Sequence, residues 1–375
     1  MQREEMVFVG VCDLAGHLRG KALPLVDLES RLRGGVGYTG ANIMMSAFGA
    51  IHDNTWRTLG ELALIPDRST RVEVEFTGSA AERFYLADIR TPDDRPWSCC
   101  PRDFLRRALE ELQHESGLQI LAAFEQEFTY TGIEERSAAA CGHDAYRHQG
   151  LFGEVLVSAI RRAGVTPESF LPQYAPRQYE VTVAPTVGLR AADEAVIVRE
   201  MVRAVAFRFG CRVSLAPLPD PNGIGNGTHV RFGLLDEQGR AVMYDASRPF
   251  GLSARAAPFI AGILHHLPAL TALTAPSVAS YFRLRPNRRA PVCASIGEHD
   301  RGAALRVCEV FDGATEVPAR QFNVEFRVSD ATASPYLTLG AIVHAGVEGI
   351  RRNMFRATRL LLPGWARSSA TPMGD

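Results

Sequence analysis

The sequence predicts an α+β protein. Helix-spaced apolar patterns alternate along it with strand patterns, and most of the strands suit hairpins rather than parallel crossovers. Residues 6–13 (Met-Val-Phe-Val-Gly-Val-Cys-Asp) read as a strand, and a turn at Gly16 leads to a second strand around Leu18 to Pro24. Residues 71–77 form a further strand, with Val72, Val74 and Phe76 inward and Glu73 and Glu75 toward water. Strand signals fade near residue 90. The stretch Thr91-Pro92-Asp93-Asp94-Arg95-Pro96-Trp97 then marks a boundary between domains at 1–97 and 98–375. Arg102 to Glu115 has helical spacing at Phe104, Leu105, Ala108, Leu109 and Leu112, and strands are expected at Leu121 to Tyr130 and at 177–184. A helix is expected from about Ala192 to Phe209, with Asp193 and Glu194 at its start and Gly210 as its stop. A last helix follows Pro335, from Tyr336 to about Phe355.

Composition narrows the function. At 375 residues, 46% hydrophobic and 22% charged, this is an ordinary globular chain with room for two domains or one large one. A net charge of −1 gives no general attraction to nucleic acid or membrane. No apolar run approaches a membrane span, and the opening Met-Gln-Arg-Glu-Glu is not a signal peptide. Seven cysteines without zinc-type spacing, two of them adjacent at Cys99-Cys100, fit reduced thiols, so a cytoplasmic location is expected. Lys21 is the only lysine among 41 basic residues, and arginine suits anion binding.

The chemistry centres on Phe124-Glu125-Gln126-Glu127-Phe128. In one strand, residues i and i+2 share a face, so Glu125 and Glu127 are expected side by side within an apolar run. Paired buried anions need a cation, and a hard divalent ion with oxygen ligands, Mg²⁺ or Mn²⁺, is the natural one. The same pattern also fits a surface strand with an acidic outer face, as Arg71 to Phe76 illustrates. Further candidates are Glu180 in Gln178-Tyr179-Glu180 and His229 after the turn Gly225-Asn226-Gly227-Thr228. Arg283, Arg301, Arg306 and the alternating Val324-Glu325-Phe326-Arg327-Val328 complete the set. Neither GxGxxG nor GK[ST] occurs.

Taken in order, these segments resemble the glutamine synthetase family over nearly the whole chain. The opening Asp-Leu-Ala-Gly-His-Leu-Arg-Gly-Lys-Ala looks like that family's β-grasp domain. The Glu-x-Glu strand, the Gln-x-Glu strand, the Gly-x-Gly-x-His turn, the Arg283 segment and Glu325 to Leu337 follow in family order. The resemblance implies a β-grasp domain and then a catalytic domain on a curved antiparallel sheet. It also implies ATP-dependent joining of a glutamate-like carboxylic acid to an amine through an acyl phosphate, with two or three Mg²⁺ or Mn²⁺ ions. Glu127 and Glu180 match ligands of one ion; Glu125, His229 and Glu325 match those of a second. Arg283 and Gly225 match substrate-binding positions, with Arg283 holding the α-carboxylate, and Arg301, Arg306 and Arg327 match cations around the transferring phosphate. Arg231, Arg306 and Asn323 fall near the nucleotide, and a homo-oligomeric ring with active sites between subunits is implied.

Departures from the family pattern cluster at the ammonium site. Gln173 stands for a third glutamate, Arg289 for the glutamate of a closing flap, and Thr39 for an aspartate lent to a neighbouring subunit. Arg231 replaces a histidine, Asn323 an arginine and Ile224 an asparagine, and no C-terminal helical extension follows Gly364-Trp365. A small cation awaiting deprotonation needs negative charge, so a nucleophile other than free ammonium is expected. The alternative is a catalytically degenerate homologue that binds nucleotide or partner subunits.

Overall fold

The computed structural model describes residues 3–56, 60–131, 140–308 and 321–354. Its first unit holds β1 (Met6–Cys12), β2 (Leu18–Pro24), α1 (Leu28–Gly34), β3 (Val36–Tyr38), β4 (Leu62–Pro66), β5 (Val72–Val74) and β6 (Glu82–Arg90). The expected hairpin forms in full register, from Met6 opposite Pro24 to Cys12 opposite Leu18. The sheet order is β2-β1-β6-β4-β3, with β5 on β6, and only β1 and β6 run parallel. This is the β-grasp layout the sequence implies. Val7, Val9 and Val11 face a small core with Tyr85, Ala87, Ile89 and Trp97. Phe84 and Leu86 of β6 face the other way, into the main core, so alternation along one strand serves two cores. Glu73 is drawn into ion pairs with Arg71 and Arg83 rather than left to water.

The second unit begins with α2 (Pro101–Ser116), β7 (Gln119–Phe124), β8 (Gln126–Thr131) and α3 (His143–Arg162). Then come β9 (Pro167–Pro172), β10 (Gln178–Val183), β11 (Thr186–Val187), α4 (Leu189–Arg208), β12 (Arg212–Ser214) and β13 (Val230–Leu235). Helices α5 (Ala256–His265), α6 (Leu267–Thr274) and α7 (Val278–Arg283) precede β14 (Cys293–Glu298), β15 (Ala303–Val307), β16 (Val324–Phe326) and α8 (Pro335–Arg351). One sheet is β12-β8-β10-β9 and the other β11-β7-β13-β16-β15-β14, antiparallel except at β14 with β15. Helix α8 packs against α2 and α5. Gly262 permits the second of these contacts, since a Cβ there would lie 2.1 Å from the Ala345 carbonyl. Among the described residues no single helix is long and apolar enough to cross a membrane.

Two expectations are corrected. The run Leu121 to Tyr130 is not one strand: β7 and β8 belong to different sheets, and the chain changes sheet at Glu125. Helix α4 starts at Leu189, after the Gly188 turn, so Asp193 and Glu194 lie inside it. Both are buried and neither caps the helix: Glu194 is held by Arg190 one turn earlier in the same helix, whereas Asp193 takes tertiary partners. Asp193 accepts from Arg102 at 2.9 Å and from the Tyr336 hydroxyl at 2.6 Å. Arg102 also reaches Asp67 and Asp88 of the first unit, at 2.7 and 2.9 Å, tying the two units through one buried guanidinium. The last helix ends at Arg351 in the described residues, and both Phe355 and the Gly364-Trp365 segment lie outside them.

Candidate active site

The sheet change at Glu125 creates the site. The Glu125 N–H donates to the His229 carbonyl at 2.9 Å, and the Glu127 N–H to the Gly227 carbonyl at 3.3 Å, so the Gly225–His229 turn is clamped across the junction. Glycine is required there, because a Cβ on Gly227 would fall 2.5 Å from His229 Nε2. Glu125 and Glu127 thereby line one cavity of 780 Å³ but serve different clusters. Every candidate residue lines this cavity except Asn323, which lines a smaller, largely apolar one of 250 Å³. Arg231 borders both cavities.

The first cluster is Glu125, His229 and Glu325, whose ligand atoms lie within 4.8 Å of one another. His229 Nδ1 sits 3.1 Å from Glu325 and 3.4 Å from Glu125. Strand register places Arg231, Glu325 and Arg306 in one row across β13, β16 and β15. Arg306 and Arg327 pair with Glu325 at 2.8 and 2.5 Å. Arg231 Nε lies 2.6 Å from Glu125, an ion pair too bent to be a hydrogen bond. Burial opposes ionisation of Glu325, yet the His229 hydrogen bond and both arginines hold its pKa well below the carboxylate range. Burial and Arg327 oppose protonation of His229, but Glu125 and Glu325 outweigh them and bring its pKa up to about 9.

The second cluster has no ion pair among the described residues; His229 acts on both carboxylates, and Arg283 on Glu127, only from a distance. Glu127 and Glu180 stand directly opposite each other in the β8–β10 ladder, where like charges destabilise a sheet. Glu127 accepts the Gly227 N–H at 2.5 Å, and Glu180 accepts the Gln173 amide N–H. Burial pushes Glu180 up to about 8, with Glu125 and Glu127 adding to the effect, and burial raises Glu127 as well. Gln173 thus turns its amide nitrogen, not its oxygen, toward Glu180. That is the reverse of what a metal ligand in this position would do.

Arg283 is buried at one side of the cavity, donating to the Val328 and Ser329 carbonyls, with Asp330 3.8 Å away. Its Nε has no hydrogen-bond partner among the described residues. Gly225 lets it approach, since a Cβ there would lie 2.8 Å from Arg283 Cγ and 2.0 Å from the Pro217 carbonyl. Arg301 lines the cavity, and its carbonyl accepts from Arg327. Arg289 stacks on Tyr174, 3.6 Å from the ring centroid. Sequence reasoning passed over Tyr174, and also over Gln178, which bonds the Gly225 carbonyl and Asn226 at 2.9 Å. The one available signal for Gln178 was its place two residues before Glu180 on the same strand face.

Residues 1–97 match the family model of the glutamine synthetase N-terminal domain, and residues 98–359 match that of the glutamine synthetase catalytic domain. The chain belongs to the glutamine synthetase family. It is 34% identical over 357 residues to the gamma-glutamylpolyamine synthetase of Streptomyces coelicolor, covering 92% of this chain and 75% of that one. It is 31% identical over 360 residues to the glutamine synthetase of Thermococcus kodakarensis, covering 94% and 76%. A crystal structure of a glutamine synthase homolog superposes with a TM-score of 0.89 at 42% identity, over 94% of this chain and 84% of the other. The apo structure of GmaS, at 23% identity and a TM-score of 0.77, shares the fold over 93% of this chain and 79% of that one. As a glutamine synthetase-like protein the chain is an ATP-dependent C–N ligase, of a family that uses ATP and divalent metal ions. Its residues fit such ions, because the opposed Glu127–Glu180 pair has no cation at ion-pair distance among the described residues and a ready imidazole–carboxylate set lies beside it.

Proposed function

We propose that this protein forms an amide between the side-chain carboxylate of a glutamate-like acid and an amine other than free ammonium, through an acyl phosphate. The Glu127–Glu180 pair carries the proposal. Glu180 is buried and Glu127 half-buried opposite it, and no cation among the described residues lies within ion-pair distance of either. His229 and Arg283 act on the pair only from farther off, so the two carboxylates are costly in a protein that merely binds partners. Glu125 and Glu325 do not make that argument, because arginines already neutralise them.

In this reading Glu127 and Glu180 hold one divalent ion and Glu125, His229 and Glu325 another. Bound there, the ions would supply neutralising charge for the transferring phosphoryl group. Arg283, which lines the cavity, binds the acid's α-carboxylate through its guanidinium. Arg301, Arg306 and Arg327 surround the phosphoryl group as it passes from ATP to the side-chain carboxylate. Arg231, which borders both cavities, and Asn323, which lines the smaller one, flank the nucleotide. The amine nitrogen then attacks the acyl carbon, and inorganic phosphate leaves. Gln173 and Arg289 occupy positions where a cationic nucleophile would need carboxylates, so free ammonium has no seat. The proposal includes a homo-oligomer with active sites shared between neighbours; Phe48, 98% exposed on the first unit, is suited to such a contact.

Hydroxylamine tests the reading, since it is small, neutral and nucleophilic enough to trap an acyl phosphate. With glutamate, ATP and Mg²⁺ we expect hydroxamate that disappears in Glu127→Ala. Signal from another carboxylic acid but not from glutamate would correct the acid. Silence across a panel of acids would overturn the ligase reading in favour of a binding role.

A further inference from the structure

The walls of the 780 Å³ cavity separate by charge once each group's partner is counted. Among the described residues five carboxylates line it. Glu325 is held by Arg306, Arg327 and His229, and Glu125 by Arg231 and His229. Glu127 and Glu180 form the opposed pair. The fifth, Glu168, lies near the start of β9, six residues before Tyr174, or about 20 Å along an extended chain. There it also borders the smaller cavity. Among the described residues, the wall made by Gln173, Tyr174, the 286–290 loop and Arg301 therefore has cations and no carboxylate of its own, meeting Glu180 only through the Gln173 amide.

Two of those cations are uncommitted. No described carboxylate pairs with Arg289, whose guanidinium carbon lies over the Tyr174 ring, nor with Arg301. The Arg289 loop is fixed in place. Asn287 and Arg289 both hold left-handed backbone, at φ 65° and 54°, a conformation that costs a non-glycine residue energy unless its surroundings impose it. Arg288, between them, supplies the restraint by donating to the Pro221 carbonyl at 2.6 Å and to the Gly223 carbonyl. A guanidinium displayed this way, with one face covered by an aromatic ring, leaves its N–H edge for a planar or tetrahedral oxyanion.

We propose that the amine nucleophile carries its own anionic group, a carboxylate, sulfonate or phosphonate, and that Arg289 binds this group beside Tyr174. This rests on the ligase function proposed above and names its second substrate by class. The anion anchors the molecule on the Arg289 wall while its neutral amine nitrogen attacks the acyl carbon. The new C–N bond forms as the C–O bond to phosphate breaks, the electron pair leaves on inorganic phosphate, and the surplus N–H proton passes to solvent. A polyamine, the substrate class in the name of the Streptomyces relative, would meet uncompensated arginines on this wall.

The test is ADP release with glutamate, ATP and Mg²⁺, comparing taurine and β-alanine with ethanolamine, a neutral amine of similar size, and with putrescine. Hydroxamate formation runs in parallel as the check on the ligase itself. We expect kcat/KM for the acidic amines to exceed that for ethanolamine by about tenfold or more, the scale of one charge-assisted contact. Arg289→Gln should bring that ratio near one, and Arg289→Glu should invert it. Taking ratios within each variant removes any difference in the fraction of folded protein. A wild-type ratio near one, a preference for putrescine, or a ratio unmoved by both substitutions overturns the anion site while hydroxamate leaves the ligase standing. Absence of hydroxamate with every acid overturns the ligase function and this inference with it.

Discussion

Replacing Glu180 by glutamine should stabilise the metal-free protein and abolish its response to metal. Glu180 is buried opposite Glu127, and its pKa stands at about 8 against an ordinary 4.5. An acid whose pKa is raised by folding is bound to its proton more tightly in the native state than in the unfolded chain. Its contribution is intact below pH 4.5 and is lost as pH rises toward 8. The loss is about 1.4 kcal/mol per pH unit, or about 3 kcal/mol at pH 7 and about 5 kcal/mol beyond pH 8. Glutamine keeps the shape and the acceptor for Gln173 but never ionises. The EDTA-treated variant should therefore melt higher than wild type by roughly 5–10 °C at pH 8 and by less at pH 6. Saturating Mn²⁺ should reverse the order, because it needs the ionised carboxylate and stabilises wild type more as pH rises. His229, at about 9, works in the same direction in both proteins. The assay is thermal unfolding from pH 6 to 8.5 with and without Mn²⁺. A metal-free wild type whose Tm is flat across that range, or a variant no more stable than it, would refute the uncompensated pair.

Glu325→Ala should destabilise the fold by about 3–5 kcal/mol, read from the denaturant midpoint, because it strands Arg306, Arg327 and His229 without their shared anion. Arg283→Gln should lower kcat/KM for the carboxylic acid by about 100-fold, mainly through KM in the hydroxamate assay, as one charge-assisted contact is lost. Arg102→Met should cost about 3–5 kcal/mol, since it leaves Asp193 buried and cuts the link to Asp67 and Asp88. Proteolysis after this change should release the first unit sooner than in wild type.

How much of this was legible in the sequence depends on how far apart the interacting residues are. The β1–β2 hairpin and helix α2 could be read because pattern, turn and partner all lie within a few residues. Each candidate ligand could be located, since a carboxylate or imidazole in an apolar strand or glycine turn is conspicuous on its own. The sheet change at Glu125 could not be read, because alternation looks the same on either side of a junction. What decides there is pairing of β7 with β13 and of β8 with β10, set by segments more than 40 residues away. The arginine partners were hidden for the same reason. Arg231 meets Glu125 across about a hundred residues of chain, through register that no local window contains.

That hidden register changes what the buried carboxylates mean. Acidic residues in an apolar setting suggest a missing cation only if the protein supplies none itself. Arg231, Arg306 and Arg327 supply it for Glu125 and Glu325, so those two would be tolerable in a fold that had lost its metal. Glu127 and Glu180 are different: a neutral amide and a backbone N–H are their hydrogen-bond donors, and burial raises both pKa values. A chain free of catalytic demand could remove that cost with one substitution to glutamine, the residue already present at position 173. The persistence of both glutamates therefore favours a working ligase over a retired one, and it rests on two residues rather than five.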